Sequence, residues 1–365
     1  MTMSRGPVVV AMSGGVDSAV AAALLVAQGR EVIGVSLRLH GAVASGAPGR
    51  CCSAEDFRDA RLVAGRLGIP YFVFDAEREF EAGVLDRFRS EYRSGRTPSP
   101  CVACNSDVKF GALLDRARTL GAGSVATGHY ARLRDNADGT RSLLAAADRT
   151  KDQSYFLFDL DQEQLSAAEF PVGDLSKTEV RRIAREQGLP VSEKPESQDI
   201  CFVPEGSYRA VLEQDEAGLG RAGEIVTRTG ETLGRHEGVA GFTVGQRRGL
   251  GISAPSALYV LQVDAAEGRV VVGPEDDLLA EGLRASRWRW TNGREPQAPV
   301  RGSLRIRYRH PAAGALVTPA EPHAVRAFFD TPQRAVAPGQ AAVLYDGDAV
   351  IGGGWIDGPL SAAAA

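Results

Sequence analysis

Lysine is nearly missing from this chain. Of 42 basic residues only four are lysine, at positions 109, 151, 177 and 194. Arginine binds through a rigid fork and lysine through a compact, mobile ammonium, so each rare lysine marks a place where the ammonium is wanted. Long apolar runs are absent too. None approaches the ~18 residues that a membrane-spanning helix needs, and no leader-like apolar segment follows the start at Met1. The reading is a cytoplasmic chain with no membrane partner. Cysteine is scarce at five residues. In a reducing compartment these read as reactive, metal-binding or buried rather than as a disulfide framework. An excess of positive charge is also lacking, since the net charge is −4. That excludes a chain that is basic throughout, but not a local basic surface. No internal repeat is present.

What is there fits a folded chain of 365 residues, 44% hydrophobic and 24% charged. At roughly 100–200 residues per domain this allows two or three domains. The first part alternates strand-like and helix-like segments: strands at 8–10, 31–37, 70–74 and 124–127, and helices at 18–28, 54–67, 80–92, 108–120 and 177–187. Strands spaced by helices predict an α/β fold with a doubly wound parallel sheet. Beyond about residue 205, glycine and short β-branched runs take over. The spacing predicts a small central β-rich domain over 211–280 and a C-terminal β-barrel over 281–360, behind a catalytic domain over 1–210. Within the barrel, 304–308 reads as one strand.

The most informative stretch is Ala11, Met12, Ser13, Gly14, Gly15, Val16, Asp17, Ser18, directly after an apolar strand. A strand, a Ser-Gly-Gly turn and a helix start form an anion cradle. The glycines let backbone approach a phosphate, and free N–H groups at the helix start point at it. Ser13 and Ser18 add hydroxyls, and Asp17 is placed to hold Mg²⁺ on a pyrophosphate. The string resembles the PP-loop of ATP pyrophosphatases. It is neither a Walker A loop nor a dinucleotide fingerprint.

Residues 96–110 carry the second signal, Arg-Thr-Pro-Ser-Pro-Cys-Val-Ala-Cys-Asn-Ser-Asp-Val-Lys-Phe. Pro98 and Pro100 stiffen a loop. It leads Cys101 and Cys104 to a helix expected from about Asn105, whose N-terminus would favour the Cys104 thiolate. Cys201 follows in Glu196-Ser-Gln-Asp-Ile-Cys-Phe. Three readings stand: buried inert cysteines, a metal or iron–sulfur site using Cys101, Cys104 and Cys201, and a thiol pair that carries sulfur. The adjacent Cys51 and Cys52 read as structural, ahead of a helix capped by Ser53.

Taken in order, the segments 13–18, 51–60, 96–110, 126–132, 151–157, 197–202, 242–249 and 305–310 resemble the bacterial tRNA-uridine 2-sulfurtransferases over nearly the whole chain. The resemblance implies 2-thiolation of the wobble uridine, position 34 of tRNA, with ATP and Mg²⁺. The C2 oxygen is adenylated and sulfur then displaces AMP. An iron–sulfur-dependent thiolase on the three cysteines is the alternative. By resemblance Cys201 carries a persulfide, Cys104 is its nucleophilic partner, and a transient Cys104–Cys201 disulfide closes the cycle. ATP contacts are implied at Ala11–Ser18, Leu37 and Gly128. The target base is implied near Ser99, Pro100 and Cys101, with further tRNA contacts at Lys151, Asp152, Gln153, Arg307 and Tyr308. Some family members carry aspartate where this chain has Cys101, so the acid/base role stays open among Cys101, Asp199 and His129. The implied partners are the tRNA anticodon stem-loop and a persulfide donor such as a cysteine desulfurase or relay protein. A monomer is expected to bind one tRNA.

The basic residues that this function requires are clustered. Eight arginines and one acid, Glu295, lie between Arg284 and Arg309. Alternation in Arg305-Ile-Arg-Tyr-Arg309 predicts three cations on one strand face, a surface suited to tracking phosphates.

Overall fold

In the computed structural model residues 6–39, 53–195, 200–203 and 207–360 are described. Cys51, Cys52, Asp199 and the 41–49 loop lie outside these ranges. Two compact units are present. The first comprises residues 1–85, 101–202 and 348–350, and the second 86–100, 203–347 and 351–365.

The first unit is built on a parallel sheet. Its strands are β1 (Val8–Ala11), β2 (Val32–Arg38), β3 (Tyr71–Asp75), β4 (Ser124–Ala126) and a short strand, Ala168–Glu169. The sheet order is β3-β2-β1-β4, then 168–169, and every pairing is parallel. Val8, Val9 and Val10 are fully buried, as expected of a strand covered on both faces. Between β1 and β2 runs α1 (Val16–Ala27). Its small buried residues, Ala19 and Ala21–Ala23, let it pack close to the sheet. It starts two residues earlier than the sequence suggests, so Asp17 and Ser18 belong to its first turn. Helix α2 (Ala54–Leu67) has the predicted Ser53 cap, completed as a capping box by Asp56. The chain leaves β1 toward β2 on one side and returns to β4 on the other. The crevice beyond β1 and β4 is therefore the topological switch point, where such sheets bind ligands.

A helical run begins at Pro100, not at Asn105. It comprises Pro100–Ala103, a π-wound segment Cys104–Ala112, and Leu113–Thr119. Proline fits a first helical position because no intrahelical partner is lost there. The π winding is supported from outside: Gln164 Nε2 donates to the carbonyls of Ser106 and Phe110 at 2.8 and 3.1 Å. Further on, α3 (Lys177–Glu186) starts at a Ser176–Glu179 capping box.

The second unit holds two β structures. One is a four-stranded sheet of Gly223–Thr227, Thr232–His236, Tyr259–Asp264 and Arg269–Gly273. The other is a closed barrel of Leu279–Trp290, Val300–Arg305, Ala313–Glu321, Ala324–Arg334, Ala341–Asp346 and Ala349–Leu360. It closes by pairing its first strand with its last. The barrel interior is filled by Leu283, Trp288, Leu304, Val317, Ala327, Leu344 and Ile356. The strand expected over 304–308 stops at Arg305, and residues 306–310 turn. Arg307 and Arg309 thus leave the ladder, and the expected alternating face is not built.

Candidate active site

The loop after β1 folds as the sequence implies. Gly14 has φ +72°, and a Cβ there would lie 2.5 Å from the Asp56 carbonyl oxygen. Only glycine meets both conditions. Ser18 Oγ donates to the Gly15 carbonyl at 3.1 Å and accepts the Ser13 N–H at 3.2 Å. Its hydroxyl therefore fixes the turn. The Ser13 and Ser18 hydroxyls lie 3.2 Å apart. Across the crevice, Gly128 follows β4. A Cβ there would sit 2.6 Å from the Ser18 amide nitrogen, so the absence of a side chain keeps the helix start approachable. Leu37 is half-buried near the end of β2, in register with Phe74.

Asp17 is already engaged. Lys177 Nζ lies 2.7 and 2.9 Å from its two carboxylate oxygens. The Tyr130 hydroxyl donates to Oδ1 at 2.7 Å, and the Lys177 ammonium stands 5.8 Å from the Tyr130 ring centroid. Neither Lys177 nor Tyr130 was singled out as a site residue by sequence reasoning. The sequence signals for them are the rarity of lysine and the tyrosine that follows His129 within the 126–132 segment. The donor set of Asp17, Ser13 and Ser18 is all hard oxygen, the chemistry magnesium takes. With the glycine-lined helix start, these residues fit a nucleotide phosphate chain and its cation.

Cys104 departs from the expectation of an activated thiolate. It lies one turn inside the helical run and is buried. Burial pushes its thiol above the ordinary value, partly offset by the charge of Lys109. The π winding, with its i→i+5 bonds, brings residues four and five apart onto one face, and so sets Lys109 beside Cys104. Lys109 Nζ donates to Asn105 Oδ1 at 3.0 Å, and Asn105 Nδ2 to the Phe156 carbonyl at 3.0 Å. Cys101 is half-buried in the first helical turn, and Cys201 lies half-buried in a turn. Cys101, Cys104 and Cys201 are all in the thiol form rather than in a disulfide. Among the described residues no three His, Cys, Asp or Glu side chains are grouped to hold a metal ion. His129 is half-buried, with Nδ1 2.7 Å from Thr127 Oγ1. Burial first, and then Lys109, push its pKa well below 6.5, so it is neutral.

The implied RNA contacts divide. Asp152 is buried, and its carboxylate accepts the amides of Ala146 and Ser154 at 3.1 and 3.2 Å. Gln153 Oε1 accepts the Tyr130 N–H at 2.9 Å. Both side chains thus shape the turn, and Lys151 remains the half-buried cation of the trio. Ser99 and Pro100 belong to the second unit and are buried. There Gln340 Nε2 donates to the Thr97 carbonyl at 2.9 Å, holding the proline loop down. Of the barrel arginines, Arg284 and Arg301 pair with Glu321 and Asp330 at 3.2 and 2.8 Å. Arg287 lies 5.2 Å from the centroid of Trp355. Arg307 and Tyr308 are half-exposed in the turn after Arg305.

Three family models match the chain in order. They are described as a tRNA methyl transferase HUP domain over residues 6–205, a tRNA methyl transferase PRC-barrel domain over 215–274, and an aminomethyltransferase beta-barrel domain over 280–356. Among solved structures, an NMN synthetase from Francisella tularensis aligns at 20% identity and TM-score 0.35, over 52% of this chain and 66% of that one. Curated relatives match far more of the chain. The tRNA-specific 2-thiouridylase MnmA of Solibacter usitatus is 50% identical over 97% of this chain and 100% of its own length. That of Geobacter metallireducens is 50% identical over 98% of each. At half identity over the full length, these relatives are a narrower match than the domain descriptions, and the chain belongs to the tRNA-specific 2-thiouridylase family.

Proposed function

We propose that this protein thiolates the C2 position of the wobble uridine of tRNA, with ATP activating the oxygen and a cysteine persulfide supplying sulfur. One observation carries the reading. A built phosphate cradle at Ser13–Ser18 shares a folding unit with Cys104 and Cys201, in a chain half identical to named 2-thiouridylases. Bound ATP supplies an adenylyl group that turns a poor leaving oxygen into AMP. Ser13, Ser18 and the helix-start amides bind the phosphates, and Asp17 is the ligand for Mg²⁺. Gly128 leaves the approach to that helix start open. The backbone at Leu37 faces the adenine.

The sulfur step assigns both thiols. The terminal sulfur of a Cys201 persulfide attacks C2, and the C2–O bond to AMP breaks. The Cys104 thiolate then attacks Cys201 Sγ, the S–S bond to the transferred sulfur breaks, and a Cys104–Cys201 disulfide forms. A cellular dithiol must reduce it before the next turnover. Lys151, Arg307 and Tyr308 contact tRNA. The target base, flipped from its stack, sits beside Ser99, Pro100 and Cys101. A desulfurase or relay protein loads Cys201, and one monomer serves one tRNA.

The test is to incubate the protein with unmodified tRNA, ATP, Mg²⁺ and a persulfide donor, and to read 2-thiouridine by mass spectrometry. Thiouridine is expected from wild type and not from Cys104→Ser or Cys201→Ser. ATP cleavage to AMP and pyrophosphate with no thiouridine would overturn the assignment.

A further inference from the structure

Of the four lysines, Lys194 lies nearest to Cys201, seven positions before it. It follows α3 in an irregular stretch, and its ammonium is bound to α2. Nζ donates to Asp56 Oδ1 at 2.8 Å and to Asp59 Oδ2 at 2.6 Å. The side chains of Lys194, Asp56 and Asp59 are only 19, 9 and 16% exposed. Asp56 and Asp59 are neighbours on one helix face, and two carboxylates so withdrawn from water need a cation between them. Arg58, exposed and 3.8 Å from Asp59, adds a weaker charge that water screens. Asp56 also backs the phosphate loop, since its carbonyl fills the space that a Gly14 side chain would take. The backbone at Lys194 is fixed from α3, where Arg181 donates to the carbonyls of Ser192 and Lys194 at 2.9 and 3.3 Å. Beyond Cys201, the Phe202 ring meets the buried Phe80 edge-on, with centroids 5.6 Å apart. Cys201 is thus strung between two anchors, an ion cluster at 194 and an aromatic contact at 202.

We propose that Lys194 is a positioning residue for the sulfur step. Its ion cluster fixes the start of the segment that delivers Cys201, and fixes it to the helix that backs the phosphate loop. Lys194 itself touches neither nucleotide nor sulfur. Seven residues reach at most ~25 Å. A fixed start therefore confines Cys201 to a small volume and raises its effective concentration toward Cys104 and the activated base. With that start released, the same thiol searches a larger volume. The inference rests on the reading that Cys201 carries the sulfur and Cys104 resolves it. The rival account is a lysine that only neutralises two carboxylates and so stabilises the fold.

Single-turnover assays of the persulfide-loaded protein with tRNA, ATP and Mg²⁺ separate the two. Lys194→Met should slow thiouridine formation about 10- to 100-fold, the cost of a misplaced reacting group. Pyrophosphate release from ATP should stay within about twofold of wild type. Lys194→Arg should recover part of the loss. The same effect is readable without tRNA in a glutathione redox buffer. There oxidised glutathione takes up the two electrons that the forming Cys104–Cys201 disulfide gives up, and peptide mapping reads the effective concentration of the pair. Lys194→Met should lower it about tenfold. The decisive comparison adds Asp59→Asn to Lys194→Met. The double variant loses the second carboxylate, keeps Asp56 to cap α2, and should melt closer to wild type than Lys194→Met does. If Lys194 positions Cys201, thiolation stays slow in this double variant. If it only neutralises charge, thiolation returns with stability and the proposal falls. Thiolation and pyrophosphate release that fall together in Lys194→Met would also overturn it. The double variant supplies the comparison if Lys194→Met does not fold. Thiolation that survives Cys201→Ser would overturn the sulfur assignment itself. Thiolation that needs Cys201, yet runs at the wild-type rate in Lys194→Met, would overturn only the role of Lys194.

Discussion

Cys104 shows how one residue's environment can reverse what its sequence position suggests. A thiol at a helix start is acidified, whereas a thiol buried one turn further on is not. In the free protein the pH profile of Cys104 alkylation should therefore centre above the ordinary thiol value of 9.0. Lys109→Met removes the cation that opposes this shift and should move that profile higher still. An unchanged profile would mean that Lys109 only braces Asn105. The neutral His129 carries a second residue-scale consequence. Its folded pKa lies below its unfolded value, so in acid the unfolded chain binds a proton that the folded chain refuses. Its contribution is complete above about pH 6.5 and is lost as the pH falls below that, at about 1.4 kcal/mol per unit until the folded value is passed. Denaturant unfolding at pH 7 and pH 5 should show His129→Gln losing less stability than wild type over that interval.

At the scale of elements, the cradle depends on backbone approach more than on side chains. Gly14→Ala places a Cβ 2.5 Å from the Asp56 carbonyl at a left-handed φ, which costs about 1–3 kcal/mol where the loop cannot move. Thermal unfolding should fall accordingly and pyrophosphate binding should be lost. In Gly128→Ala the added methyl meets the Ser18 amide and the Asp17 backbone. Nucleotide affinity should then drop more than stability does, as titration and melting on the same sample would show. Ser53→Ala gives a purely structural contrast. It removes a capping-box oxygen from α2 and should cost about 1 kcal/mol, with nucleotide binding unchanged. Its failure to separate stability from binding would mean that α2 and the loop act as one element.

For the whole molecule, net acidity and a local arginine surface have different consequences. Overall negative charge limits indiscriminate attraction to RNA, while clustered cations bind phosphate through counterion release. Salt bridges to Glu321 and Asp330 engage Arg284 and Arg301, so the count of eight overstates the surface. Arg307→Ala should weaken tRNA binding about equally across sequences and reduce the salt slope by about one. A salt slope unchanged in Arg307→Ala would place the RNA surface elsewhere. One further correction arises at this scale: the arginine alternation at 305–309 ends where the barrel strand ends.

The sequence by itself determined the alternation of β1, α1, β2, α2 and β3 and the strand β4, the loop after β1, the Ser53 cap and the family. Each rests on local signals: apolar periodicity, glycine between a strand and a helix, a serine three residues before an acid. Tertiary structure alone decided the rest. It gave Asp17 a partner in Lys177, wound Cys104 and Lys109 onto one face, and buried the thiol. It also turned Asp152 and Gln153 inward and ended the arginine strand at Arg305. These outcomes depend on what packs against a residue from far along the chain, and neither periodicity nor spacing encodes that.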